Sequence, residues 1–296
     1  MSSSSADSGI VVGVDGSPQS KAAVAWAAHE AALRGSRLTL VHALTDPSAA
    51  AWLDVPLPAD YWTEQSAMAK DLLEDAARAA RAAAPQDRAV AIEQKSVSGS
   101  PLAVLVDSSE DAEMVVVGCR GLGGIQRALL GSVSSGLVHH AHCPVAVIHV
   151  EEPPTDRPAD APVVVGIDGS PASERAVEIA FDEASRRGVA LIALHTWLES
   201  TDDFIGVGWA EVRAQADETL AERLAGWQER YPDVVVRRVV EMDNPARELL
   251  ELSTSAQLLV VGSHGRGGIA GMVLGSVSSA VVQGARVPVI VARARR

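Results

Sequence analysis

Short apolar runs punctuate the chain at regular intervals, and runs of this kind read as strands buried on both faces of a parallel sheet. In the first half they are Ile10 to Asp15, Leu38 to Ala43, Met114 to Val117 and Val145 to Val150, with a further strand near Ala89 to Val97. Helices are expected between them over Pro18 to Arg34, Glu64 to Ala84, Pro101 to Ser108 and Ser132 to Ala141. The first helix has Ser17 as N-cap, Pro18 in its first turn and Gly35 as its stop. An irregular segment from Leu44 to Trp62, with Pro47, Pro56 and Pro58, precedes the second.

The second half repeats the order. Strands are expected at Val163 to Asp168, Leu191 to Trp197, Val234 to Val240, Leu258 to Val261 and Val289 to Ala292. Helices fall at Ala172 to Arg187, stopped by Gly188, then Trp209 to Arg230, Ala246 to Ser253 and Ser276 to Gly284. Strands alternating with helices imply a parallel sheet with right-handed crossovers.

The halves are copies of one unit. Val11-Val12-Gly13-Val14-Asp15-Gly16-Ser17-Pro18 recurs as Val164-Val165-Gly166-Ile167-Asp168-Gly169-Ser170-Pro171, and His195 repeats His42 at the same spacing. From there to the glycine stretches the first copy carries nine extra residues. Units this long are homologous domains rather than solenoid repeats. Pro153, Pro154, Pro158 and Pro162 mark 151–162 as an extended, semi-rigid linker between domains at 1–150 and 163–296.

The most informative stretch is also doubled. Gly118-Cys119-Arg120-Gly121, nine residues Leu122 to Leu130, then Gly131-Ser132, returns as Gly262-Ser263-His264-Gly265, nine residues Arg266 to Leu274, then Gly275-Ser276. Each copy follows an apolar strand and opens a helix. Glycines let the backbone turn freely and let a ligand approach where a Cβ would clash. A helix start offers free N–H groups and the positive end of a dipole to an anion, the dipole alone contributing roughly 0.3–1 kcal/mol. An identical glycine register in two copies argues for phosphate binding over a mere tight turn. Ligands of open parallel sheets bind beyond the carboxyl ends of the strands where strand order reverses. Asp15 and Asp168, at the ends of the first strands, would then face these loops, unless they only cap the turn into the following helix.

Composition narrows the function classes. With 47% hydrophobic and 21% charged residues the chain is globular, and its net charge of −13 argues against non-specific nucleic-acid binding, which the basic end Arg293, Arg295 and Arg296 does not reverse. Met1 to Gly9 reads as a frayed tail rather than a signal peptide, and no apolar run approaches the ~18 residues of a membrane span. A cytoplasmic protein without membrane insertion is expected. Cys119 and Cys143 imply no disulfide framework.

The pattern Gly-2x-Gly-9x-Gly-Ser, with the early Val-Asp-Gly-Ser and a closing Cys-Pro-Val or Val-Pro-Val strand, resembles the universal stress protein family. Its doubling, with Gly131 to Gly136 and Gly-Trp-Gln-Glu-Arg-Tyr-Pro at Gly226 to Pro232, is similar to the tandem members found in mycobacteria. The resemblance implies an α/β, Rossmann-like fold of the adenine nucleotide alpha hydrolase type. Each of its two open parallel sheets would have five strands in the order 3-2-1-4-5, flanked by helices.

The resemblance also implies one ATP per domain. Adenine and ribose would lie against Gly13, Asp15 and the backbone around Val41, with Gly118, Arg120, Gly121, Gly123, Gly131, Ser132 and Ser134 holding ribose and phosphates. The matching positions are Gly166, Asp168, Leu194, Gly262, His264, Gly265, Gly267, Gly275, Ser276 and Ser278. Magnesium between the phosphates fits this, although no residue is a dedicated ligand. Arg120, Leu122 and Arg127 become His264, Arg266 and Gly271, so unequal affinities are expected. The resemblance further implies a regulator of stress adaptation (hypoxia, dormancy, growth control) acting through an unknown protein partner.

Other chemistry reads as weaker. His42 and His195, at strand ends, read as structural rather than catalytic. His139, His140, His142 and Cys143 have metal-like spacing, but repeat two offers Gln283, Gly284, Arg286 and Val287. Cys119 reads as a small buried loop residue rather than a redox sensor, and Trp52 and Trp62 as packing. Gly265 to Ala270 fits a loose dinucleotide fingerprint but follows the fourth strand. There is no Gly-x4-Gly-Lys-Ser/Thr run, no loop lysine and no Ser-Gly-Gly-x-Asp-Ser loop. A slow ATP hydrolase or an adenylating enzyme is therefore the alternative rather than the first reading. The last strand of each repeat would be a sheet edge, inviting pairing of the repeats with each other or with a second chain.

Overall fold

A computed structural model describes residues 9–44, 60–121, 130–149, 158, 160–196, 209–265 and 274–293. The chain divides between Glu152 and Pro153 into two units. In the first, the elements in order are β1 (Ile10–Gly13), α1 (Pro18–Arg34), β2 (Leu38–Leu44), α2 (Tyr61–Ala83), β3 (Ile92–Ser98), α3 (Pro101–Ser108), β4 (Met114–Gly118), α4 (Ser132–His140) and β5 (Val145–Ile148). In the second they are β6 (Val163–Gly166), α5 (Pro171–Arg187), β7 (Leu191–Thr196), α6 (Trp209–Arg230), β8 (Val236–Glu241), α7 (Pro245–Ser253), β9 (Leu258–Gly262), α8 (Ser276–Gly284) and β10 (Val289–Ala292).

Within the first unit the strands lie in the order β3-β2-β1-β4-β5, every pair parallel. Within the second the order is β8-β7-β6-β9-β10, again parallel. This is the expected 3-2-1-4-5 order in both. Its reversal lies between β1 and β4, and between β6 and β9, which opens a crevice at the strands' carboxyl ends. Packing of α1 with α2, and of α3 with α4, gives the two helix groups that right-handed crossovers in opposite directions require.

Local sequence explains the elements. Ile10, Val12, Met114, Val115, Val116 and Val145 are fully or almost fully buried, which is why the central strands read as unbroken apolar runs. The outer strand β3 is exposed from Gln94 to Ser98 and charged. Ser17 and Ser170 accept hydrogen bonds from Ser20 N and Ser173 N at 3.1 and 3.2 Å, and Gly35 and Gly188 end the helices at φ 64° and 65°. Buried alanines at 23, 27 and 31 let α1 sit close to its sheet, whereas in α5 Phe181 is fully buried and stacks on Trp227 and Tyr231 at 6.1 and 5.7 Å. Those last two rings belong to the Gly226 to Pro232 segment.

Several boundaries differ from the sequence reading. β1 and β6 end two residues early, because Ser20 and Ser173 hydroxyls in the following helix accept from Asp15 N and Asp168 N at 3.2 Å and take those amides out of the ladder. The helix α2 begins at Tyr61, inside the segment read as irregular; its start follows Asp60 rather than Glu64. Strand β3 begins at Ile92, not Ala89. Most of the 151–162 stretch, Val150 and Trp197 lie outside the described residues. So does Trp52, while Trp62 lies in α2 and meets Tyr61 edge-on.

Two buried ion pairs were not legible beforehand. Glu30 and Glu183 are fully buried and pair with Arg34 and Arg187 one turn on, the first at 2.5 Å. Among the described residues no helix is long and apolar enough to cross a membrane.

Candidate functional site

In the second unit a cavity of about 560 Å³ opens at the carboxyl ends of β6 and β9. Nine of the ten residues expected there line it: Gly166, Asp168, Leu194, Gly262, His264, Gly265, Gly275, Ser276 and Ser278. The tenth, Gly267, lies outside the described residues, as does Gly123 in the first unit.

The loop is closed at its base by its own backbone. Gly275 N donates to Ser263 O at 2.9 Å, and in the first unit Gly131 N donates to Cys119 O at 2.8 Å. Ser278 Oγ donates to Gly262 O at 2.5 Å, and Ser134 Oγ to Cys119 O at 2.9 Å. Both serines are buried, and their hydroxyl protons fasten the helix to the strand end. Ser132 and Ser276, at the first helical positions, are exposed.

The starts of α4 and α8 are chemically distinct from those of their neighbours. Helices α1, α3, α5 and α7 begin at Ser17, Ser100, Ser170 and Asn244, each accepting from a first-turn amide. Helices α4 and α8 begin at Gly131 and Gly275, and no side chain caps them. Their first-turn amides are therefore available to an outside acceptor, the arrangement that binds anions.

Asp168 faces the loop. Its Oδ1 accepts from Ser170 N at 2.9 Å, and its Oδ2 lies so close to Gly265 that a Cβ there would sit 2.5 Å away. Asp15 repeats this: Oδ1 accepts from Ser17 N and Oγ at 2.9 and 2.6 Å, and Oδ2 lies against Gly121. The carboxylates do support the turn into the helix, while the caps themselves are Ser17 and Ser170. One oxygen holds the turn and the other faces the glycine loop.

Several glycines have structural reasons other than a ligand. A Cβ on Gly118 would lie 2.8 Å from Gln19 C, and one on Gly262 would lie 2.9 Å from Ala172 C, both backbone atoms at helix starts. Gly13 and Gly166 leave room for Leu105 and Leu249 at 2.9 and 3.0 Å. The Val41 and Leu194 carbonyls accept from Val14 N and Ile167 N at 2.9 and 2.8 Å, which fastens the chain just past β1 and β6 to the neighbouring strand.

His42 and His195 donate from Nδ1 to the Val14 and Ile167 carbonyls at 2.6 and 2.7 Å, as structural histidines do. His139 Nδ1 bonds the Ser135 carbonyl at 2.6 Å and Cys143 is buried, its Sγ 3.5 Å from Pro144 O. Among the described residues no three His, Cys, Asp or Glu side chains converge as metal ligands. Cys119 is buried and occupies the position that Ser263 takes in the second unit.

Sequence reading missed part of the cavity wall: Thr196, Pro245, Leu249, Leu274 and Ser173. Ser173 and its counterpart Ser20 were findable, since both stand five residues after the aspartate. The others come together only through the sheet. Among the described residues lining the cavity, Asp168 and His264 are the only titratable ones, and Arg120 holds the place of His264 in the first unit, half-buried.

Such a doubled, doubly wound α/β chain, with an aspartate and an uncapped helix start at the carboxyl ends of its strands, belongs to the class of Rossmann-like proteins. Comparison with known proteins narrows the class. The model of the universal stress protein family matches residues 9–149 and 161–293. Universal stress protein Rv2623 of Mycobacterium tuberculosis is 51% identical over 294 residues, covering 99% of both chains. Universal stress protein Rv2005c of the same organism is 52% identical over 286 residues, covering 96% of this chain and 97% of its own. The crystal structure of a universal stress protein from Archaeoglobus fulgidus shares the fold with a TM-score of 0.72 at 23% identity, covering 98% and 99%. The chain belongs to the universal stress protein family, in tandem form.

Proposed function

We propose that this chain is an ATP-binding regulator with one nucleotide site in each of two domains, 1–150 and 163–296, joined by the proline-rich linker 151–162. The observation that carries the reading is the second-unit cavity, which Asp168 and the uncapped α8 start both line. Phosphates would take the amides at Gly275, Ser276 and the loop. The aspartate oxygen beside Gly265 would accept from a ribose hydroxyl. Apolar Leu194, Leu249 and Leu274 line the same cavity and suit an adenine face. The first unit repeats the frame with Asp15, Gly121, Gly131 and Ser132.

Binding rather than rapid turnover follows from the side chains. An efficient phosphoryl-transfer enzyme needs a positioned base or nucleophile at the phosphates. Here the histidines at the strand ends are committed to carbonyls, and among the described residues lining the second-unit cavity only Asp168 and His264 are titratable. Magnesium would be held by the nucleotide's own phosphates. Bound ATP would bias a surface read by a protein partner in the cytoplasm during stress, with pairing through the β5 and β10 edges between the repeats or between two chains.

The test is to denature the purified protein, identify and count released nucleotide by chromatography and mass spectrometry, and titrate ATP into Asp15→Ala and Asp168→Ala single variants. Up to two ATP per chain, with one site lost in each variant, is expected. Absence of nucleotide from the wild type and no uptake of added ATP would refute the proposal. Phosphate release well above background, abolished in the double variant, would replace the regulator with a slow hydrolase.

A further inference from the structure

We propose that the open edge of β8 is a self-association surface, on which a second copy of this chain adds its own β8, antiparallel, about a two-fold axis at Val239. The inference rests on the fold alone and holds whether or not the cavity takes a nucleotide.

The backbone of that edge has a fixed phase. Among the described residues β8 pairs only with β7, in parallel, with Leu191 opposite Val236 and Thr196 opposite Glu241. Leu191 N donates to Val235 O at 2.9 Å. Backbone groups alternate in direction along a strand, so Val235, Arg237, Val239 and Glu241 turn theirs to β7, and Val236, Arg238 and Val240 turn theirs outward. An added antiparallel strand forms hydrogen bonds where outward residues meet outward residues. An axis at Val239 meets that condition, because it sets Arg238 opposite Val240 of the second copy and Val236 opposite Met242.

The side chains select the same register. Arg238 lies on the face of β8 turned to α6, where it reaches Asp217 at 2.9 Å, and Arg237 and Val239 lie on the other. On that other face α7 packs on β6, β7 and β9, and it leaves Arg237 and the preceding Val235 exposed, the valine by 72%. Among the described residues Arg237 has no ion-pair partner, and Glu241 meets Arg213 at 3.5 Å with both side chains exposed. The axis at Val239 puts Arg237 directly opposite Glu241 of the second copy, twice by symmetry, in the non-hydrogen-bonded pairs whose side chains approach closest. It also sets Val239 against Val239, and exposed Met242 against Val236.

Neighbouring registers lack this match. An axis at Arg238 or at Arg237 opposes that arginine to its own copy, and an axis at Val240 brings Arg237 to Asp243, which Arg247 already holds. Charges on an edge ordinarily repel an added strand. Here opposite signs stand symmetrically about Val239, so they choose a partner and a register instead. The outer strand of the first unit differs: Glu93 of β3 is already shared by Lys95 and Arg37 at 3.3 and 3.5 Å, and its neighbours Gln94 and Ser96 are polar, so no pairing is expected there. A two-fold contact uses the same patch on both chains and closes at a dimer. A six-residue strand meeting its copy at an edge buries little area, which makes the association weak.

The experiment is disulfide trapping in the full chain. Val239→Cys places two thiols on the axis with Cα atoms about 4.5 Å apart, within reach of a disulfide, while the native Cys119 and Cys143 are buried. Mild oxidation should turn Val239→Cys into a covalent dimer on a non-reducing gel, and should leave Arg237→Cys, whose thiols would lie well apart, monomeric. Adding Arg237→Glu or Glu241→Arg to Val239→Cys should slow trapping about tenfold, since each opposes like charges twice. Adding both should restore it, because the reversed pair meets across the axis and not within one chain. No trapping of Val239→Cys, equal trapping of Arg237→Cys, single reversals that trap as fast as their parent, or a double reversal that stays slow would each overturn the proposal.

Discussion

Two glycine-to-alanine changes, three residues apart, separate the ligand site from the scaffold that presents it. At Gly265 the added Cβ would sit 2.5 Å from Asp168 Oδ2, and only that carboxylate needs to move. Moving it strains the 2.9 Å bond to Ser170 N, a loss of about 1 kcal/mol, or about 3 °C in the unfolding midpoint of a domain this size. If Asp168 accepts a hydrogen bond from the ligand, the same displacement removes a charge-assisted contact of about 1.5–3 kcal/mol, so ATP affinity at the second site falls about 10- to 100-fold. At Gly262 the Cβ would meet Ala172 C at 2.9 Å and Ala172 O and Ser173 N at 3.0 Å. The backbone of α5 cannot yield as a side chain does, so the cost is about 3 kcal/mol and about 10 °C, the top of the usual overpacking range. Thermal unfolding followed by calorimetric titration in the Asp15→Ala background reads both quantities. Gly265→Ala binding ATP as tightly as its parent, or destabilising as severely as Gly262→Ala, would refute this reasoning.

Two further outcomes test the packing. Arg187→Met should destabilise the second unit by about 3 kcal/mol in urea denaturation, because fully buried Glu183 loses the guanidinium one turn on, and a loss under 1 kcal/mol would show the pair to be dispensable. Arg238 holds the Asp217 carboxyl below its usual range, chiefly through hydrogen bonds of 2.9 and 3.1 Å. Its lowered pKa means that the stabilisation is present above the ordinary carboxylate range and is lost as pH falls through and below it. The pair is nearly half exposed, so Asp217→Asn should cost under about 1 kcal/mol at pH 7 and nothing at pH 2, read as the difference between variant and wild type at each pH.

The sheet was legible because its signals are local. Val163 to Val165 and Leu258 to Val261 are apolar without alternation, as strands covered on both faces must be, and Ser170 with Gly188 bracket α5 through bonds made within one turn. The duplication did the rest, since an identical glycine register in two copies marked the loops before any coordinates. The start of α2 at Tyr61 was not legible, because no serine or asparagine side chain caps it. Nor were the buried glutamates: Glu30 and Glu183 have the spacing of ordinary surface pairs with Arg34 and Arg187, and only packing shows that they are enclosed.

By itself the sequence determined the fold class, the duplication and the position of the loops, all of which depend on periodicity and on residues close along the chain. Only the tertiary structure shows what the described loop residues touch. Gly118 and Gly262 look like ligand glycines in sequence, yet the space beside them is filled by the backbone of helices roughly a hundred residues earlier. Ser134 and Ser278 read as phosphate ligands in sequence, and the structure adds that their hydroxyls donate to the carbonyls of Cys119 and Gly262. Gly121 and Gly265 do open onto aspartates that the chain places far away, and α4 and α8 do begin uncapped. The reason is that a glycine's absence of Cβ serves any close approach alike, and which group approaches is fixed by where the sheet brings distant segments together.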